Sequence, residues 1–232
     1  MNKNHEMNTG NVEPQLTAIR SLCVYCGSWS GTEPTLEEFA RTFGSACAAR
    51  GIELIYGGGG IGLMGTVAEA ALTGGGRVTG IIPRSLLESE PPFSNVTELV
   101  VVDSMHERKR EMFDRADGFV VLPGGLGTLD ETIEMITWRQ LGFHDKPIVL
   151  ANYRGYWNPL LTLFDHIVAT GFAQPDSHDL YTVTDSVDGI FAELMRGTPA
   201  GTTASSPGGG LQTGTAARQG REIARRAGDG GA

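Results

Sequence analysis

The sequence predicts an α/β fold: a Rossmann-like, doubly wound, mostly parallel sheet flanked by helices in a single domain. Three observations carry this. Short apolar runs rich in β-branched residues alternate with longer stretches whose apolar residues recur three and four positions apart, which is the pattern of repeated βαβ units. Two of the runs end in glycine-rich turns that lead straight into helical stretches, the place where parallel α/β proteins hold a phosphate. The length of 232 residues, with 40% hydrophobic and 19% charged, suits one well-buried core and is short for two large domains.

Taken in order, the strand-like runs cover residues 22–26, 53–56, 77–82, 99–102, 119–122, 147–151 and 180–183. Most are apolar on both faces, as in a parallel sheet covered by helices on each side. Between them the three-and-four spacing predicts helices at 37–49, 64–72, 106–116, 128–141, 158–170 and 187–195. The polar stretch 1–18 precedes the first run and is expected to be a disordered tail, leaving 19–196 as the folded domain. From 197 to 232 the composition turns to Gly, Thr, Ser, Ala and Pro with a late Arg cluster, too little apolar surface to offset ordering, so a second disordered tail is expected.

Composition excludes several function classes. The 18 Lys and Arg stand against 27 Asp and Glu, a net charge of −9, so a long nucleic acid held by phosphate neutralisation is not an expected partner. No apolar run reaches the roughly 18 to 20 residues of a membrane span, and no signal-peptide core is present, so no membrane partner and a cytoplasmic location are expected. Cys23, Cys26 and Cys47 make an odd set, read as reduced thiols. Cys23 and Cys26 form a C-x-x-C, but a spacing of three along a strand puts them on opposite faces, and no second Cys or His pair follows at zinc spacing. No metal or cofactor is expected.

The first glycine turn, Tyr56-Gly57-Gly58-Gly59-Gly60-Ile61-Gly62-Leu63-Met64-Gly65, satisfies G-x-G-x-x-G at Gly60, Gly62 and Gly65. A dinucleotide site also needs an acid roughly 20 residues on for the ribose hydroxyls. Here that stretch reads Thr79-Gly80-Ile81-Ile82-Pro83-Arg84. The NTPase phosphate loop fails as well, since Leu63 and Met64 stand where Lys and Ser or Thr are required. What remains is a mononucleotide floor or tight helix-on-strand packing. In a parallel sheet the strand C-terminal ends share one edge, so Gly27, Ser28, Gly58 and Gly59 are expected there as a pocket floor, beside residues 103–109 and 124–131.

The second turn is the more informative. In Pro123-Gly124-Gly125-Leu126-Gly127-Thr128-Leu129-Asp130-Glu131, Pro123 stops the strand and the glycines let backbone N–H groups turn toward an anion without a Cβ in the way. A phosphate monoester fits that cradle, and Glu131 sets a carboxylate beside it. Thr128 and Glu131 also satisfy T-x-x-E, a capping box that would give Glu131 a structural duty. On spacing alone the two readings stand level. Near the same edge, Asp103-Ser104-Met105-His106-Glu107-Arg108-Lys109-Arg110 opens another helix, where Arg108 and Lys109 either face a bound anion or pair with Glu107 and Glu111 on a solvated face.

These residues resemble a known family. Pro123 to Glu131 matches P-G-G-x-G-T-x-x-E, and Met105-His106-Glu107-Arg108-Lys109 matches M-H-x-R-K, of the LOG (Lonely Guy) family of cytokinin riboside 5′-monophosphate phosphoribohydrolases, many once labelled lysine decarboxylases. Cys26-Gly27-Ser28, Gly80-Ile81-Ile82-Pro83 and Ile136-Thr137-Trp138 extend the similarity over about residues 19–195. The resemblance implies hydrolysis of the N-glycosidic bond of a 5′-phosphorylated adenine nucleoside, with Arg108 and Glu131 as the essential pair. It also implies substrate contacts at Glu90, Arg108, Lys109, Gly124, Gly125, Leu126, Gly127, Thr128 and Asp130, and a homodimer with apolar surface around Trp138 and Phe143. Asp130 replaces a Glu common in the family. The alternatives are a broader purine nucleotide 5′-monophosphate nucleosidase and a non-catalytic carrier of nucleotide or molybdenum-cofactor type. Lysine decarboxylation finds no lysine in a recognisable pyridoxal phosphate site.

Overall fold

The computed structural model describes residues 19–87 and 92–196. The two expected tails and Glu90 lie outside them. The described strands are β1 Ser21–Tyr25, β2 Glu53–Tyr56, β3 Val78–Pro83, β4 Glu98–Val102, β5 Gly118–Val121, β6 Ile148–Ala151 and β7 Thr182–Thr184. They form one sheet in the order β4-β3-β2-β1-β5-β6-β7, and all six pairings are parallel. The α-helices are α1 Pro34–Ala49, α2 Gly62–Thr73, α3 Met105–Arg115, α4 Leu126–Gln140, α5 Asn158–Ala169 and α6 Val187–Arg196. This is the α/β Rossmann-like architecture that the alternating runs predict.

The strands sort their side chains by parity. Leu22, Val24, Cys26, Leu54, Tyr56, Val120, Leu122 and Val149 pack under α1, α2 and α6, while Cys23, Tyr25, Ile55, Phe119, Val121 and Leu150 pack under α3, α4 and α5. Strands β1, β2, β3, β5 and β6 thus bury both faces, which is why their sequences read as continuous apolar runs rather than alternating ones, whereas the edge strands β4 and β7 stay largely open. Cys23 and Cys26 fall into different layers, as an odd strand spacing requires, and all three cysteines are buried and free.

Strand order fixes where a ligand can sit. From β1 the chain winds outward through β2, β3 and β4, then returns beside β1 with β5 and winds the other way. Loops leaving β1 and β5 therefore diverge from a crevice at their C-terminal ends, the switch point of a doubly wound sheet. Here the two loops meet backbone to backbone: the Gly27 N–H donates to the Pro123 carbonyl at 3.0 Å. A Cβ on Gly124 would lie 2.9 Å from the Gly27 nitrogen. Neither loop has room for a side chain at that crossing.

Candidate active site

A cavity of about 490 Å³ opens at this switch point, within the range of roughly 300–1,000 Å³ usual for small-molecule sites. Cys26, Gly27 and Ser28 line it from the end of β1, Leu63 and Met64 from the start of α2, and Arg108 from α3. A further wall is the turn Pro123 to Thr128, with Glu131. The loops expected to share an edge do so. Gly124, Gly125, Leu126, Gly127 and Thr128 all face the cavity, and so do Arg108 and Glu131.

The turn is built by what its residues lack. Pro123 follows the buried Leu122 and brings no N–H to continue the strand ladder. A Cβ on Gly124 would overlap the Thr128 hydroxyl, whereas one at Gly125 or Gly127 would meet open space. The chain tightens at once, so α4 starts at Leu126 with Gly125 as its cap, and that cap offers no side-chain hydrogen bond. The first N–H groups of a helix have no partner within it, and here they lie at the cavity wall. Leu126, 85% exposed, stands at the rim.

This early start corrects the capping-box expectation for Thr128 and Glu131. Thr128 is the third residue of α4 rather than its cap; its side chain is buried under Gly124, and its carbonyl accepts the Thr132 hydroxyl at 2.6 Å. Glu131 lies in the second turn, half-buried, and not in the first turn where the helix dipole would hold it. A variant of the capping box, with its carboxylate reaching one residue past the cap, occurs 24 residues earlier. Ser104 caps α3, its hydroxyl accepting the Glu107 N–H at 3.1 Å, and the Glu107 carboxylate returns to the Asp103 N–H at 2.8 Å. Glu107 is thereby committed to the helix end and not to Arg108.

Arg108 is buried to 6% exposure, which overturns the solvated-face alternative. Its Nη2 donates to the Gly57 carbonyl at 2.9 Å, its Nη1 lies 3.9 Å from the Met105 sulfur, and its Nε has no hydrogen-bond partner among the described residues. A guanidinium sunk at a cavity with a donor unused is poised for an anionic or carbonyl-bearing guest, since leaving it unmet is costly. Gly57 makes room for it: a Cβ there would overlap Nη2. Lys109 is turned to a different task. Its ammonium, 16% exposed, pairs with Glu134 at 3.0 Å and Asp130 at 3.2 Å, and it is not among the cavity-lining residues. Burial pulls its pKa down, but the bonds to Glu134 and Asp130 outweigh this and hold it above the ordinary lysine value. Adjacent pairs thus divide the work: Arg108 and Glu131 face the cavity, while Lys109 and Asp130 join α3 to α4.

Cys26 also lines the cavity, yet it is no nucleophile. Burial first, and the neighbouring Glu131 charge second, push its thiol far above the ordinary value, so it stays protonated. The same influence of Glu131 reaches Cys23 and Tyr25. The carboxylate itself is half-buried.

The first glycine run departs from expectation. Gly58 and Gly59 do not line the cavity with Gly27 and Ser28. Gly58, at φ 80°, turns the chain onto Ile81 and Ile82 of β3, and Gly59 bridges to Pro92. The G-x-G-x-x-G glycines serve packing instead. A Cβ at Gly62, at φ 60°, would strike the Ser28 backbone, and one at Gly65 would strike the Gly60 carbonyl. Sequence reasoning missed Trp29, Leu36 and Tyr156, which also line the cavity. Tyr156 follows β6, whose C-terminal end shares the same edge, so the rule that gathered the other loops reaches it too.

Residues 64–194 match the family model described as "Possible lysine decarboxylase". The probable cytokinin riboside 5′-monophosphate phosphoribohydrolase LOGL1 of Oryza sativa subsp. japonica is 48% identical over 159 residues, 68% of this chain and 71% of that protein. The cytokinin riboside 5′-monophosphate phosphoribohydrolase LOG3 of Arabidopsis thaliana is 42% identical over 185 residues, 80% of this chain and 86% of its own. Among solved structures, the molybdenum cofactor carrier protein of Chlamydomonas reinhardtii aligns with a TM-score of 0.57 at 20% identity, over 76% of this chain and 96% of that one. That likeness concerns the fold. With such identity across most of its length to cytokinin riboside 5′-monophosphate phosphoribohydrolases, this chain belongs to the LOG family.

Proposed function

We propose that this protein hydrolyses the N-glycosidic bond of cytokinin riboside 5′-monophosphates, and of AMP, releasing the adenine-type base and ribose 5-phosphate. The observation that carries the reading is the presence of Arg108 and Glu131, from two different helices, in one cavity with the Gly124–Thr128 turn. Breaking a ribosyl C–N bond builds positive charge on the sugar. A carboxylate held beside the anomeric carbon stabilises that charge and orients or deprotonates the attacking water. Glu131 takes that role. The 5′-phosphate rests on the open N–H groups at the start of α4 and gives binding strength away from the breaking bond. Arg108, with its unused Nε, meets the phosphate, the ribose or the departing base.

The test is direct. Purified protein incubated with AMP and with isopentenyladenosine monophosphate should release free base and ribose 5-phosphate from both, with adenosine a poor substrate. Absence of base from every 5′-monophosphate would favour the carrier reading and sink this one. The ratio of kcat/KM for the two nucleotides separates a cytokinin-activating enzyme from a general nucleosidase.

The same reading includes a homodimer in the cytoplasm. Leu141 and Phe143, 62% and 69% exposed, and Ile133 and Leu163, 40% and 50% exposed, form apolar surface at α4, its end, and α5. A second copy suits such surface. Trp138 contributes less than expected, because its ring turns inward onto Phe113 at 5.1 Å.

A further inference from the structure

We infer that Tyr156 is the residue that sets the phosphate grip, by fixing the orientation of the Gly124–Gly125 peptide. This rests on the phosphate-cradle reading given under Proposed function. The Tyr156 hydroxyl donates to the Gly124 carbonyl at 2.7 Å, across 32 residues of chain. That peptide is trans, as the described bonds all are, and a trans peptide is planar with its C=O and N–H antiparallel. A donor that holds the Gly124 carbonyl on one side therefore aims the Gly125 N–H to the opposite side. Nothing within the turn does this job by side chain, since positions 124 and 125 are both glycine and the α4 cap makes no side-chain bond. Glycine peptides flip easily. An outside anchor is what such a turn needs to present a fixed donor.

Tyr156 is itself held in place. The turn after β6 runs through Arg154 at φ 54° and Gly155 at φ 76°, an unusual path for a non-glycine residue. The Asn152 side chain secures it, accepting the Trp157 N–H at 2.7 Å and donating to the Asn158 Oδ1 at 2.9 Å. The Tyr156 ring packs edge-on against the buried Trp157 at 4.8 Å between centroids. With 41% of its surface exposed, Tyr156 is not a core residue. Its hydroxyl can be removed without opening a cavity.

Tyr156 is a positioning residue, and the expected signature follows from where the phosphate sits. A grip remote from the breaking bond acts alike on bound substrate and transition state, so weakening it raises KM and leaves kcat in place. In Tyr156→Phe, KM for AMP should rise about three- to tenfold, the range of one hydrogen bond, with kcat within about twofold. Competitive inhibition by ribose 5-phosphate should weaken by the same factor, and inhibition by adenine, which carries no phosphate, should not change. Unchanged KM and ribose 5-phosphate inhibition would overturn the inference while leaving the enzyme reading intact. So would an equal loss toward adenine, or a fall in kcat alone. If the wild-type protein neither cleaves AMP nor binds ribose 5-phosphate, both readings fall together.

Discussion

At Glu131 the surroundings matter more than the residue type. It is a half-buried carboxylate whose charge raises the pKa of Cys26, Cys23 and Tyr25, each of them buried. In such a setting a charge acts far more strongly than it would in water. Since α4 is not capped by the Thr128 and Glu131 pair, replacing the carboxylate by an amide removes no cap. Glu131→Gln should still fold to a cooperatively melting protein and release adenine from AMP at least about 100-fold more slowly, the scale seen when a transition-state stabiliser is lost. Near-normal turnover would move the chemistry elsewhere. Arg108 complements it from the opposite helix, with its planar fork already half-used on Gly57.

Among the elements, α3 and α4 form the working unit. Ser104 and Glu107 start α3 at the right residue, Gly125 starts α4, and Lys109 ties one to the other through Asp130 and Glu134. The far end of the unit is pinned by His144. Its Nε2 lies 3.0 Å from the Met135 carbonyl, so that nitrogen carries the proton, while Nδ1 is buried with no partner among the described residues. Its ring meets Phe113 and Phe119 edge-on. Burial, ahead of the nearby Arg139 and Lys146 charges, holds its pKa below the ordinary value of 6.5. A folded state that resists protonation binds fewer protons than the unfolded chain, so its contribution to stability is complete above pH 6.5 and shrinks as the pH falls through the window beneath it. The melting temperature of the wild type should drop between about pH 7 and 5. In His144→Gln, whose amide can still donate to the Met135 carbonyl, that drop should be shallower; an identical slope would place the acid sensitivity in other groups.

At the level of the whole molecule, the described surface carries large exposed apolar side chains. Phe172 is 88% exposed and Phe143 69%, and neither is among the cavity-lining residues. Light scattering should find about twice the 24.7 kDa chain mass. Phe143→Glu, which puts a charge into that surface, should shift the protein toward the monomer and lower its melting temperature. A wild type that scatters as a single chain at all concentrations would rule the dimer out. Among the described residues no helix is long and apolar enough to cross a membrane.

By itself the sequence determined the sheet, the helices and the two motifs that identify the family, because both-face burial writes continuous apolar runs and the glycine turns interrupt them at one edge. It located Arg108, Glu131 and the Gly124–Thr128 turn as well. Only the tertiary structure decided which neighbours share the cavity. Residues 108 and 109 are both cations, and 130 and 131 both carboxylates; helical rotation of about 100° per residue sends one of each to the cavity and the other to the α3–α4 junction. Spacing alone also left a capping box at Thr128 and Glu131 level with a catalytic Glu131, a tie broken only because the collapse of the chain at Gly124 starts α4 two residues early, with Gly125 as its cap. Tyr156 reaches the site from 32 residues away. Contacts of that range are made by packing the sheet, and no local pattern records them.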